Sequence, residues 1–229
     1  LEVVRMRRET KMGEGGSSEA CGDAPSGAVD HSRTYRRPTR RRGDALVGEI
    51  LDAAWDQLLE EGAAGFTVEA VAARARTSKP VIYRRWANRD ELFSAVIVRR
   101  ILLNPLECHD LGSLRADTLD ILDQGNRKRV EIIVAAATAG VFIPGHLLTP
   151  ERVRDTALAG KTSAMEVAVE QAILRGEIRI SPPPLVVRVP FDLFKAQVLM
   201  SVAPVPTPML EQIVDQVFLP LVHAYQVEG

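Results

Sequence analysis

The twenty residues from Thr67 to Trp86, TVEAVAARARTSKPVIYRRW, constrain this chain more than any other stretch. Thr67 stands just before an apolar-periodic run, where its hydroxyl can accept a free backbone N–H and begin a helix. Val68, Val71, Ala72 and Ala75 fall at i, i+3, i+4 and i+7, one buried stripe of a short helix. The small alanines permit close approach by a neighbouring helix. Arg76 and Thr77 form a turn. Ser78 is placed as a second N-cap, and Pro80 lies in the first turn of the next helix, where its missing N–H costs nothing. That second helix spans about two turns. Ile82 and Trp86, four apart, can face inward, leaving Lys79, Tyr83 and Arg84 on other faces and Arg85 at the end. Two capped short helices across a tight turn make a helix-turn-helix.

The composition of this unit suits duplex DNA. Affinity for DNA comes largely from cations that neutralise phosphates and release counterions. Sequence is read by side chains at the N-terminal end of a helix in the major groove. That end offers Thr77, Ser78, Lys79 and Val81, while Tyr83, Arg84 and Arg85 can reach the flanking backbone. Asn88 opens a further helix, and Arg89 in its first turn can stand beside a phosphate.

Residues 44 to about 100 resemble the DNA-binding domain of the tetracycline-repressor (TetR) family of bacterial regulators. The resemblance is carried by ILDAA, by the Gly62-to-Thr67 link, by SKPVIYRRW and by NRDEL. It implies that Thr67, Ser78, Tyr83 and Arg89 contact phosphates, and that Thr77, Lys79, Pro80, Val81 and Arg84 meet bases or their sugars. The family's turn usually carries glycine, and this chain has Arg76. In a left-handed conformation a non-glycine residue costs roughly 1–2 kcal/mol. Either this turn differs, or the strain is tolerated because Arg76 adds a phosphate contact.

Charge is divided along the chain. The net charge of -1 conceals a basic segment: residues 33–100 hold 14 Lys and Arg against 9 Asp and Glu, so about +5. Residues 101–229 hold 11 against 15, so about -4. A basic module joined to an acidic one fits nucleic acid at one end and self-association or a small ligand at the other. The expected organisation is therefore all-α. Residues 1–43 form a disordered tail with an Arg-rich arm, 44–100 the helix-turn-helix domain, and 101–229 a helical ligand-binding and dimerisation domain. The tail is rich in Gly, Ser and charge, and cannot bury enough apolar surface to offset its ordering entropy. In the arm, Arg40, Arg41 and Arg42 would track phosphates or enter the adjacent minor groove.

The first helix is expected over 44–61, with Gly62 ending it, and a fourth over 90–103. Residues 113–140 read as one long or two shorter helices, with Gly125-Asn126 marking a break. A further helix is expected from N-cap Thr149 to about Arg175, stopped by Gly176. Pro190 should start or kink a helix. Near the C-terminus Leu210, Ile213, Val214, Val217 and Leu221 repeat at helical spacing, and Phe218 widens the stripe. In the resembled family the last two helices form a four-helix dimer interface, which would make these six the dimerisation residues; otherwise residues 185–222 close a monomer core. Phe142, His146, Met165, Phe191 and Phe194 are the candidate pocket walls. With so few polar groups among them, they suit an apolar or aromatic effector.

Other functions find little support. Cys21 and Cys108 form no C-x-x-C, so a reducing cytoplasm is the default. Residues 1–12 lack the apolar core of a secretory signal. The apolar run 132–143 is too short to span a bilayer, so no membrane is expected. Cys108-His109 alone makes no metal site, and no Gly-rich phosphate loop, G-x-S-x-G or triad spacing occurs. No metal, cofactor or catalytic residue is expected. The resemblance implies a homodimer that binds a palindromic operator in double-stranded DNA, represses, and is released by a small molecule. The alternatives are an activator or ligand-independent regulator, and, from another class, an all-α enzyme or structural dimer with a vestigial head.

Overall fold

The computed structural model describes residues 43–138, 155 and 160–227. By its internal contacts the chain divides into two units, Leu1–Val47 and Gly48–Gly229. The tail and arm, with Arg40, Arg41 and Arg42, lie outside the described residues, as do Phe142, His146 and the helix start expected at Thr149. Of the first unit only residues 43–47 are described: left-handed Gly43 and the opening of helix α1 (Asp44–Gly65).

In the second unit α1 buries Ile50, Leu51, Ala54, Trp55 and Leu58. Gly62 breaks its regularity at φ 66° and ψ -171°, a conformation glycine adopts without a Cβ penalty. Helix α2 (Val68–Arg74) buries Val68, Val71 and Ala72, the expected stripe. After the turn come α3 (Lys79–Tyr83) and the longer α4 (Arg89–Leu103), which buries Leu92, Phe93, Val96 and Ile97. Phe66 fills the space between them, its ring edge-on to Phe93 at 5.4 Å. Two cations tie α4 to α1. Arg99 places its fork on Asp52, with Nε and Nη2 at 3.2 and 3.1 Å, and Arg100 lies over the Trp55 ring at 5.0 Å.

The centre of the remainder is α5 (Leu114–Thr138). It packs against α4, α6 (Ala164–Leu174), α7 (Pro184–Ser201) and the last helical run. That run is α8 (Thr207–Gln212), a π-helical segment (Ile213–Phe218) and α9 (Leu219–Val227). One apolar cluster joins Leu114 and Ile121 to Met165, Val169, Val187, Phe218 and Val222. A second joins Leu122, Val130 and Ile133 to Phe194, Val198, Leu210 and Val214. Every regular element among the described residues is helical, so the fold is all-α.

Four expectations change. Gly125 does not break α5, which runs through it. It is buried, and a Cβ there would stand 3.1 Å from two Phe194 ring carbons, so glycine serves close packing rather than a turn. The helix expected over 149–175 is interrupted before its end, because α6 begins only at Ala164. Ser163 and Glu166 close a capping box there: the Glu166 N–H donates to Oγ of Ser163 at 3.3 Å, and the Ser163 N–H to Oε2 of Glu166 at 2.7 Å. Pro190 does not start a helix but lies inside α7, which begins at Pro184. The π segment changes which residues of the last run face inward. Its wider turn, i→i+5 rather than i→i+4, lets each following residue lag behind its α-helical position. Phe218 and Val222 therefore take the core positions that α periodicity assigns to Val217 and Leu221.

Candidate DNA interface

The interface is built from the turn outward. Thr67 caps α2, its Oγ1 accepting the Ala70 N–H at 3.1 Å. At the other end Ala75 is the C-cap, and the turn closes with two backbone bonds. The Arg76 N–H donates to Ala73 O at 3.2 Å, and the Thr77 N–H to Ala72 O at 2.9 Å. This is the Schellman arrangement, which requires a left-handed residue at Arg76. Arg76 has φ 51° and is exposed. The strain anticipated for an arginine at this position is therefore present.

Ser78 takes the N-cap position of α3 with extended backbone, φ -104° and ψ 150°, but its side chain makes no capping bond. Two facts explain this. Pro80 has no N–H to offer, and the Val81 N–H is already taken by the Ser78 backbone oxygen at 2.9 Å. The Ser78 hydroxyl thus remains exposed and uncommitted beside exposed Lys79 and Pro80. Thr77 and Val81 are half-buried. Ile82 and Trp86 anchor the helix in the core, while Tyr83 is 48% exposed and Arg84 and Arg85 are exposed after it. Nothing but Ile82 is buried in α3. The helix is pinned by one side and presents the rest.

Two expected cations have partners within the chain. The ammonium of Lys79 lies 2.5 Å from Oε1 of Glu69, and this hydrogen bond holds the Glu69 carboxyl below its usual range. An exposed pair of this kind contributes little and is screened by salt, so Lys79 is readily surrendered to a phosphate. Arg89 is more firmly held. Its Nε donates to Phe66 O at 2.7 Å, its Nη2 to Ala63 O at 2.5 Å, and its guanidinium lies 5.9 Å from the Phe66 ring centre. It ties the start of α4 to the link before α2, which leaves the two N–H groups of Nη1 and one of Nη2 for a phosphate. Arg74 is likewise engaged, bonding Gln57 at 3.0 Å and also Glu60, which raises the Arg74 pKa.

The chain belongs to the TetR family. Residues 50–96 match the family described as bacterial regulatory proteins, tetR family, and residues 108–217 match its tetracyclin repressor-like C-terminal domain. The chain is 34% identical over 87 residues to the DNA-binding transcriptional repressor TetR of Mycobacteroides abscessus, covering 38% of this chain and 46% of that protein. It is 36% identical over 99 residues to the uncharacterised HTH-type transcriptional regulator YdeS of Bacillus subtilis, covering 43% and 42%. The chain thus spans under half the length of these curated relatives. The fold resembles that of the fatty acid degradation regulator FadR from Bacillus halodurans, with TM-score 0.51 and 12% identity over 80% of this chain and 97% of that one.

Of the candidate pocket walls, Met165, Phe191 and Phe194 lie among the described residues. Met165 belongs to the first cluster and Phe194 to the second, with Phe191 stacked on Phe194 at 5.4 Å. One groove among the described residues, about 390 Å³, is lined by Lys161, Glu166, Glu170 and Ser181 together with Val169 and Val187, a largely polar set that includes none of the five. The dimerisation stripe divides. Leu210, Ile213, Val214 and Phe218 are buried in their own chain's core, Val217 is half-buried and Leu221 is exposed. Exposed apolar side chains on these elements include Tyr225 and, on α7, Leu185 and Met200. No group of metal ligands is assembled among the described residues, and no helix among them is long and apolar enough to cross a membrane.

Proposed function

We propose that this chain is a cytoplasmic DNA-binding transcriptional regulator, acting as a homodimeric repressor on a palindromic operator and released by a small effector. The observation that carries this is α3, a short helix held in the core by Ile82 and by Trp86 just beyond its end, with an uncommitted Ser78 hydroxyl at its N-terminus and exposed Arg84 and Arg85 after it. The N-terminus enters the major groove, with Thr77, Lys79, Pro80 and Val81 toward bases and sugars. Thr67, Ser78, Tyr83, Arg84 and Arg85 contact the phosphates, Arg76 adds one more, and Arg89 contributes its remaining N–H groups. Arg40, Arg41 and Arg42 extend the contact beyond the described residues. The relative from Mycobacteroides abscessus, described as a DNA-binding transcriptional repressor, supports repression.

Residues 44–100 serve as the head and 101–229 as the body. Dimerisation uses the outward faces of the last two helical runs, where Leu185, Val189, Ala196 and Met200 align on α7 and Val217, Leu221 and Tyr225 on the final run. Replacing Arg84 and Arg85 together with alanine tests the interface. The variant should keep its fold and lose duplex binding, with a log–log salt slope shallower by about 2 if each contacts one phosphate. An unchanged slope would remove these residues from the interface.

A further inference from the structure

Arg129 lies on the apolar face of α5. Leu122, Gly125, Ile132, Ile133 and Ala136, which share that side of the helix, are all buried. Arg129 itself is 7% exposed. Other arginines of the chain have acidic partners: Arg99 takes Asp52, Arg115 takes Asp215, and Arg175 takes Asp110, Asp117 and Glu177. Arg129, buried far more deeply than Arg115, pairs with no carboxylate among the described residues. Its five N–H donors make two contacts, both to backbone carbonyls at 3.4 Å: Nη1 to Lys128 O and Nη2 to Ile101 O in the last turn of α4. Those distances are at the loose limit of hydrogen bonding. Burial alone lowers its pKa to about 10, with no opposing charge to raise it, and it stays cationic at neutral pH. A helix C-terminus offers it only about half an elementary charge. A buried cation is ordinarily retained with a counter-charge.

The geometry points to Arg129 as the anchor for the anionic head of the effector, a monocarboxylate with an apolar body. This rests on the regulator reading above and names the chemistry of its effector. One guanidinium is balanced by one negative charge, and its fork matches a carboxylate bidentately. A phosphate monoester would leave surplus charge in an apolar site. The buried residues on the Arg129 side of α5, Leu122, Ile132, Ile133 and Ala136, are apolar, which suits an aliphatic or aromatic body. A carboxylate there competes with the Ile101 carbonyl for the same donors. Binding therefore withdraws Arg129 from the end of α4, the helix that begins at the Arg89 tie of the head. That gives the ligand the state-dependent contact that release from DNA requires.

The test uses the full chain with octanoate and 3-phenylpropionate, their amides, and octyl phosphate. Thermal melting and duplex binding are measured in parallel, using DNA selected by the protein. At least one carboxylate should raise the Tm and weaken DNA binding tenfold or more, while its amide does neither. Arg129→Met should abolish both responses yet still bind DNA, and Arg129→Lys should retain a weaker response. Equal responses to acid and amide, a response to octyl phosphate alone, none to any carboxylate, or an undiminished response in Arg129→Met would overturn the assignment. Should Arg129→Met fail to fold, the acid–amide comparison on the wild-type chain decides. Carboxylate binding without any duplex binding would sink the regulator reading and leave this site standing.

Discussion

Replacing Arg76 with glycine should make the protein more stable and a poorer DNA binder. The backbone at this position is imposed by its neighbours. The Thr77 N–H reaches back to Ala72 O at 2.9 Å and the Arg76 N–H to Ala73 O at 3.2 Å, and both bonds require the left-handed turn. Arginine holds φ 51° at a cost of about 1–2 kcal/mol. Glycine removes that cost but loses about 0.5–1 kcal/mol through its freer unfolded chain. The net gain is about 0.5–1 kcal/mol, which for a chain of this size raises the Tm by about 1–4 °C. If Arg76 contacts one phosphate, its removal also makes the slope of log K against log salt shallower by about 0.9. Arg76→Ala separates the two effects, since it loses the charge but keeps the Cβ. It should bind DNA as weakly as the glycine variant without the gain in Tm. Melting by circular dichroism and fluorescence anisotropy across a salt series give both quantities. If Arg76→Gly melts no higher than Arg76→Ala, the strain argument fails. If neither variant alters the salt slope, the phosphate contact does not exist.

Further outcomes follow from packing. Gly125→Ala should destabilise by about 1–2 kcal/mol in urea titration, because crowding against Phe194 outweighs the gain in helix propensity; a more stable variant would show that the ring yields freely. Phe218→Ala should cost about 3–5 kcal/mol, whereas Val217→Ala, one residue away, should cost under about 1 kcal/mol. The reverse order would contradict the π-shifted register. Thr67→Ala should lose about 1 kcal/mol of stability with its cap to the Ala70 N–H. Leu185→Asp combined with Leu221→Asp should yield a folded monomer by sedimentation; a persistent dimer would move the interface elsewhere.

The head was legible in the sequence because its signals are local. Thr67, the Val68–Ala75 stripe, Pro80 and the Ile82–Trp86 pair each act within a few residues, and the structure places all of them as capping and periodicity require. Arg89 was only half legible: its place in the first turn of α4 was evident, but its bonds to Phe66 and Ala63 cross more than twenty residues. Farther along, long-range packing decides more. Gly125 carries the composition of a break and the role of a close contact. The π segment has no periodic signature, so Leu221 was extrapolated one residue short of buried Val222, whereas Leu210, Ile213, Val214 and Phe218 face inward as their spacing requires. The start of α6 could have been found, since Ser163 and Glu166 have the S-x-x-E spacing of a capping box. Arg129 could not, because the last arginine of the run Arg127-Lys128-Arg129 reads as surface until its neighbours are known to be buried.

The account depends most on α3 as a reader of duplex DNA, presented twice. Selection of bound duplexes from a random pool, repeated at two salt concentrations, tests it most directly. The predicted result is an inverted repeat whose half-sites lie about one helical turn apart, roughly 34–36 Å, and which the variant with Arg84→Ala and Arg85→Ala no longer enriches. No enrichment at either salt concentration, or enrichment that the double variant leaves untouched, would contradict it.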